Sequence, residues 1–177
     1  MLSPNLETER LILRRYIPED IESFYKLIHD DRLQKFIKFP NLTKEEELEY
    51  INDCISKADT DSREKWSIVL KSNNEVIGNI SVNRIEKKHY TCEIGYVIHY
   101  DYWGNGYASE ALKAVSDYLL DNGYYLVECV CNELNKQSSR VMEKAGFVLD
   151  ACLPNRRLND DGTYSGLEYH SKCKKKS

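Results

Sequence analysis

Between residues 90 and 131 the hydrophobic period changes twice, and few folds accommodate the result. Over 90–98 apolar and polar residues alternate, putting Cys92, Ile94, Tyr96 and Ile98 on one face and Thr91, Glu93, Gly95 and Val97 on the other, as in a strand. After a loop containing G-N-G, Ala108, Ala111, Leu112, Val115 and Leu119 recur at helical steps, and a further strand is predicted over 126–131. A strand, a helix and a strand in succession imply a right-handed parallel crossover.

The flanking segments supply the rest of a mixed sheet. A first strand is expected over 10–16, followed after Pro18 by a helix whose apolar stripe is Ile21, Phe24, Tyr25 and Ile28. Residues 36–40 read as a loop. Thr43-Lys44-Glu45-Glu46 has the pattern of a capping box, in which the Thr hydroxyl and the Glu carboxylate satisfy free backbone donors at a helix start, and that helix ends before a polar stretch at 59–63. Strands over 66–70 and 75–82, joined at Ser72-Asn73-Asn74, form a hairpin and, with the strand over 90–98, an antiparallel meander. After the crossover come a helix over 136–145, a strand over 147–153, a turn at 160–162 and a last strand over 164–170. With 177 residues and no linker or repeat, the chain is expected to form a single domain over 1–177, with the lysine-rich end at 172–177 frayed.

Charge and composition exclude several classes. With 25 Lys and Arg against 29 Asp and Glu the net charge is -4, which provides no broad positive field for nucleic acid. No apolar run approaches the roughly 20 residues needed to cross a bilayer, and Glu7, Glu9 and Arg10 interrupt the N-terminal hydrophobics, so neither a membrane span nor a signal peptide is expected. The six cysteines suit reduced thiols in a cytoplasm. Cys129 and Cys131 share a strand face without the remaining ligands of a metal site, so no metal is expected. His29, His89, His99 and His170 are dispersed and read as surface or turn residues, and Trp66 and Trp103 read as packing residues.

Chemistry concentrates in two segments. In Y-D-Y-W-G-N-G-Y-A-S-E-A-L, glycines stand between a strand and the first turn of a helix, where the backbone can approach a ligand and unpaired N–H groups point outward at the positive end of the helix dipole. That is an anion cradle able to hold a pyrophosphate without a lysine. It is not a Walker loop, because Tyr107 and Ala108 follow Gly106. It departs from the dinucleotide fingerprint too, because Ser109 stands at the third glycine position and Glu128 lies in mid-strand. In N-K-Q-S-S-R-V-M-E-K-A-G-F, Asn135 can cap a helix or bind a ligand, and Gly146 ends that helix.

Together with the opening T-E-R-L-I-L-R, the V-I-G-N-I strand and the E-I-G-Y strand, these two segments closely resemble the GNAT N-acetyltransferase superfamily and, within it, the branch of ribosomal-protein N-terminal acetyltransferases (RimJ/RimL-like). The resemblance covers nearly the whole chain. It implies an α+β (mixed α/β) acyl-CoA N-acyltransferase fold: a mostly antiparallel sheet of about seven strands, splayed between strands 4 and 5, with about four flanking helices. Acetyl-CoA would lie in the splay as co-substrate. Tyr96, Val97 and Ile98 would line the pantetheine with backbone groups, Gly104, Asn105, Gly106, Tyr107 and Ala108 would hold the pyrophosphate, and Asn135 would face the pantetheine end. Many relatives place a tyrosine seven residues after that Asn to protonate the leaving thiolate; Met142 stands there in this chain, and Ser138 is the expected proton donor instead. Glu93 matches a carboxylate that helps deprotonate the amine in some relatives, and equally reads as an exposed or salt-bridged strand residue.

The implied reaction is direct acetyl transfer to a primary amine, with no covalent enzyme intermediate. Deprotonating a lysine-like amine at pH 7 costs roughly 4.6 kcal/mol, against about 1 kcal/mol for an α-amine, which favours a peptide N-terminus or another weakly basic amine; the resemblance adds the N-terminus of a ribosomal protein as the example. A small-molecule amine such as a polyamine or antibiotic, a non-catalytic acetyl-CoA-binding module and a nucleotide-binding protein are the alternatives. The oxyanion is expected at a backbone N–H near Val97. Acceptor contacts are expected from the first helices and from loops over 36–41 and 154–162. Neither nucleic acid nor membrane is an expected partner, and a monomer and a homodimer both fit.

Overall fold

The strand read over 90–98 sits in the middle of an eight-stranded sheet. The computed structural model describes residues 4–37, 39–57 and 64–174. Its strands are β1 (Leu6–Glu7), β2 (Leu11–Arg14), β3 (Lys65–Leu70), β4 (Val76–Glu86), β5 (Thr91–Ile98), β6 (Leu126–Asn132), β7 (Val148–Leu158) and β8 (Tyr164–Cys173), and its helices α1 (Ile21–Ile28), α2 (Asp31–Gln34), α3 (Lys44–Lys57), α4 (Tyr107–Asp121) and α5 (Lys136–Lys144). The sheet order is β1-β2-β3-β4-β5-β6-β8-β7. Every neighbouring pair is antiparallel except β5 and β6, the two ends of the expected crossover.

Helices cover the two faces of the sheet because its strands carry apolar residues on both. Ala111, Leu112, Val115 and Leu119 of α4 join Leu13, Trp66, Ile80, Cys92, Ile94 and Val127 in the main core, and all are buried. Other clusters put Tyr16 and Phe24 against Ile51 of α3, and Leu27, Ile28 and Leu33 against Val97. The capping box forms as expected: Glu46 N–H donates to Thr43 Oγ1 at 3.2 Å, and Thr43 N–H donates to Glu46 Oε2 at 2.8 Å.

The structure differs from the sequence reading in several places. The short pair β1–β2 adds a strand, and the single turn α2, capped when Arg32 N–H donates to Asp30 Oδ1 at 2.9 Å, adds a helix. Strand β7 continues to Leu158, because its pairing with β8 resumes at Arg157 and Leu158 after an irregularity, so most of the expected loop over 154–162 is hairpin. The start of the lysine-rich end, expected to fray, is instead paired in the sheet. Lys172 and Cys173 belong to β8, and Lys172 Nζ donates to Ser116 Oγ, Asp117 Oδ1 and the Ala145 carbonyl. The polar stretch over 59–63 lies outside the described residues. No helix among the described residues is long and apolar enough to cross a membrane.

Candidate active site

The parallel pairing of β5 with β6 is short. Register runs through Thr91, Cys92 and Glu93 opposite Leu126, Val127 and Glu128 and then stops, while β5 continues along β4 and β6 along β8. The two strands splay beyond Glu93, as the resemblance implied for strands 4 and 5, numbered β5 and β6 once β1 is counted. A cleft of about 260 Å³ opens there, lined by Tyr96, Val97 and Ile98 of β5, by the glycine loop and by α5. The bonding of β5 alternates. His99 N–H donates to the Ile77 carbonyl, and a Cβ on Gly78 would collide with the Val97 carbonyl, so the odd-numbered backbone groups point into β4. Alternation therefore turns the backbone of Tyr96 and Ile98 toward the cleft, where the Ile98 carbonyl accepts from Trp103 Nε1 at 2.8 Å. The backbone role expected of Val97 is not available, because its N–H faces β4; Val97 reaches the cleft through its side chain, and Tyr96 and Ile98 are the strand positions whose N–H groups can meet a ligand.

A turn at Tyr100–Tyr102 leads into the glycine loop. Gly104 and Gly106 have φ of +79° and +82°, a region that favours glycine. A Cβ on Gly104 would meet nothing within 4 Å, so this side of the loop is open. Gly106 is the N-cap of α4, without a side-chain cap, and Glu110 N–H donates to its carbonyl at 3.1 Å. The amides before Glu110 thus have no place in the helical ladder, which fits the diphosphate of a coenzyme A thioester. Gly104, Gly106, Tyr107 and Ala108 all line the cleft. Asn105 does not: its amide donates to the Tyr102 and Trp103 carbonyls at 3.1 Å, and its carbonyl accepts from Arg10 Nη1 at 2.9 Å, so its side chain shapes the loop.

Arg10, which the sequence reading did not single out, borders the glycine loop. Its backbone N–H and Nε donate to the two carboxylate oxygens of Glu110, at 2.9 and 2.7 Å, while its guanidinium lies over the Tyr107 ring at 4.5 Å. Thr8 Oγ1 donates to the same carboxylate at 2.5 Å. The T-E-R segment therefore clamps the first turn of α4 from about a hundred residues away, a distance that no local pattern reveals.

On the opposite wall, Asn135 caps α5, its Oδ1 accepting from Ser138 N–H at 3.1 Å. Asn135 and Ser138 line the cleft, and Ser138 Oγ lies 2.8 Å from Tyr96 Oη. Burial pushes the Tyr96 phenol well above its ordinary range, so it stays protonated. Met142 is fully buried in the main core. Gln137, Arg140, Val141 and Lys144 add further lining from the same side of α5, at helical spacing that could have flagged them. Phe36 and Ile37, in the loop expected to contact the acceptor, line the far end with Leu33. Glu93 lies outside the lining, and its carboxylate is 3.7 Å from Arg84 Nη2.

Burial sets one histidine apart from the surface or turn reading, His170, while His99 caps the Tyr100–Tyr102 turn as that reading allows. His170 is 1% exposed, and His99 is half-buried with Nε2 2.9 Å from Ser23 Oγ. Burial also pushes the Cys131 thiol up, to about 11. Ligand atoms of Cys131, Glu168 and His170 lie within 4.8 Å of one another, but Lys136 Nζ, 2.8 Å from Glu168 Oε1, already supplies a cation there.

Residues 10–148 match the sequence profile of the acetyltransferase (GNAT) domain. The uncharacterized N-acetyltransferase YoaA of Bacillus subtilis (strain 168) is 30% identical over 152 residues, covering 85% of this chain and 86% of that protein. The ribosomal-protein-serine acetyltransferase of Escherichia coli (strain K12) is 27% identical over 170 residues, 87% of this chain and 88% of that protein. The solved structure of the microcin C7 self-immunity acetyltransferase MccE, in complex with acetyl-CoA and AMP, superposes with a TM-score of 0.83 at 20% identity over 97% of this chain and 98% of that one.

Proposed function

Because the chain belongs to the GNAT acetyltransferase family and is an acetyl-CoA-dependent N-acetyltransferase, we propose that its acceptor is the α-amine of a protein or peptide N-terminus. The observation that carries this reading is the cleft itself: among its described lining residues there is no carboxylate and no histidine. A site without an adjacent base suits an amine that loses its proton cheaply. An α-amine at pH 7 requires about 1 kcal/mol and a lysine-like amine roughly 4.6 kcal/mol. The relative that acts on ribosomal-protein serine supports the same acceptor class.

In this reading Gly104, Gly106, Tyr107 and Ala108 hold the diphosphate through main-chain N–H groups, with the Asn105 side chain fixing the bend. Tyr96, Val97, Ile98 and Asn135 flank the pantetheine arm. The N–H groups of Tyr96 and Ile98 face the carbonyl on which negative charge develops, and Ser138 gives its proton to the departing sulfur. Fixing amine and thioester side by side accounts for much of the rate. Glu93, outside the lining, can take the amine's proton only through solvent; an unchanged rate for Glu93→Gln across the pH range removes it from the mechanism.

Thiol release from acetyl-CoA, followed over peptides with free α-amines, the same peptides blocked at the N-terminus but carrying lysine, polyamines and aminoglycosides, tests the assignment. Turnover with free α-amines and none with the blocked peptides is expected. Faster turnover with polyamines or aminoglycosides would overturn it in favour of a small-molecule acceptor.

A further inference from the structure

Met142 is sealed in the core, yet a phenol still reaches the cleft from β5, on the wall opposite α5. We propose that Tyr96 is a positioning residue for the thiol-protonating hydroxyl: its phenol donates to Ser138 Oγ and so aims the Ser138 proton at the departing sulfur. This rests on the acetyltransferase reading of the cleft and on Ser138 as its proton donor.

The Tyr96 phenol is held protonated by burial, and its Oη lies 2.8 Å from Ser138 Oγ and 3.3 Å from the Ser138 carbonyl. A phenol so placed is the donor of the pair, because the alternative leaves its own proton only a longer bond to that carbonyl. With one lone pair of Ser138 Oγ occupied, the serine proton turns outward. Its choices are the cleft and the neighbouring Cys131 thiol, whose proton burial also retains. Asn135 holds the backbone from which that hydroxyl hangs by accepting from Ser138 N–H. During transfer the C–S bond of the thioester breaks as the C–N bond forms, and the amine nitrogen loses its proton to solvent. The sulfur keeps the electron pair and takes the Ser138 proton, which water then replaces. Tyr96 ends the cycle as it began, protonated. A buried phenol is a poor acid but a well-oriented donor.

The test uses the full chain with coenzyme A itself as probe, so no acceptor need be known. Thiolate ultraviolet absorbance reports the titration of the bound thiol, and calorimetry reports coenzyme A affinity. In the wild type the bound thiol is expected to titrate below free coenzyme A, since Ser138 donates to the thiolate. Tyr96→Phe keeps the ring in its packing and should raise the bound thiol's proton affinity about tenfold with the coenzyme A Kd changed less than twofold. Ser138→Ala should do the same, and the double variant should go no further than either alone. A thiol titration unmoved by Tyr96→Phe, or additive effects in the double variant, would overturn the proposal, as would a Tyr96→Phe effect confined to Kd or Tm. If wild-type protein binds no coenzyme A, the acetyltransferase reading itself fails, and calorimetry shows this before any variant is made.

Discussion

Gly106 combines the two demands the loop makes on a residue. Its φ of +82° is unfavourable for any side chain, and a Cβ there would stand 3.4 Å from Arg10 Nη2. A β-branched residue costs about 1–3 kcal/mol at such a backbone conformation and relieves it by moving the loop. Gly106→Val is therefore expected to weaken coenzyme A binding at least tenfold by calorimetry while the core stays folded. His99 makes a separate prediction. Burial holds its imidazole below the ordinary value, so the unfolded chain, near pH ~6.5, binds the proton more readily than the folded one. The stability tied to neutral His99 is complete above that pH and is lost as pH falls toward the folded value. Urea unfolding at pH ~5 and ~7.5 should show a steeper acid loss in wild type than in His99→Gln, which can still bond Ser23; equal slopes would refute the assignment.

Among the elements, the N-terminal segment is the least obvious contributor to the site. Its Thr8 and Arg10 converge on the Glu110 carboxylate, which hydrogen bonds from both hold below its usual value although burial opposes them. The clamp fixes the first turn of α4, whose amides are proposed to hold the diphosphate. Arg10 is 43% exposed, so solvent screens the pair, and the effect of removing it should be moderate. Arg10→Ala is expected to raise KM for acetyl-CoA about three- to tenfold with kcat nearly unchanged, and Arg10→Lys to recover part of it. A fall in kcat at constant KM would place Arg10 in the chemistry and not in the loop.

The whole molecule is held across its two halves by contacts between distant segments. Lys172 of β8 joins the middle of α4, at Ser116 and Asp117, to the end of α5, at the Ala145 carbonyl. Its side chain is 15% exposed, and removing it leaves that carbonyl and the Ser116 hydroxyl short of a donor, although Lys113 still pairs with Asp117. Lys172→Ala is expected to lower stability by about 1–2 kcal/mol in urea unfolding, with coenzyme A affinity unchanged. A loss no larger than that of an exposed lysine would show the tail to be as loosely held as its charge suggested.

Local physics made much of this protein legible in its sequence. The alternation at 91–98, the capping box at Thr43, the apolar stripe of α4 and the glycine turn at 104 and 106 depend on neighbours within a few residues, and periodicity records such demands directly. The pairing of Tyr96 with Ser138, the hold of Arg10 on Glu110 and the burial of Glu168 beside Lys136 do not, because each joins residues that meet only when the sheet is assembled and splayed. A glutamate or tyrosine in an alternating strand looks the same whether it faces solvent, another strand or a cleft. Where β5 parts from β6 decides which, and that point exists only once the strands are assembled into the sheet.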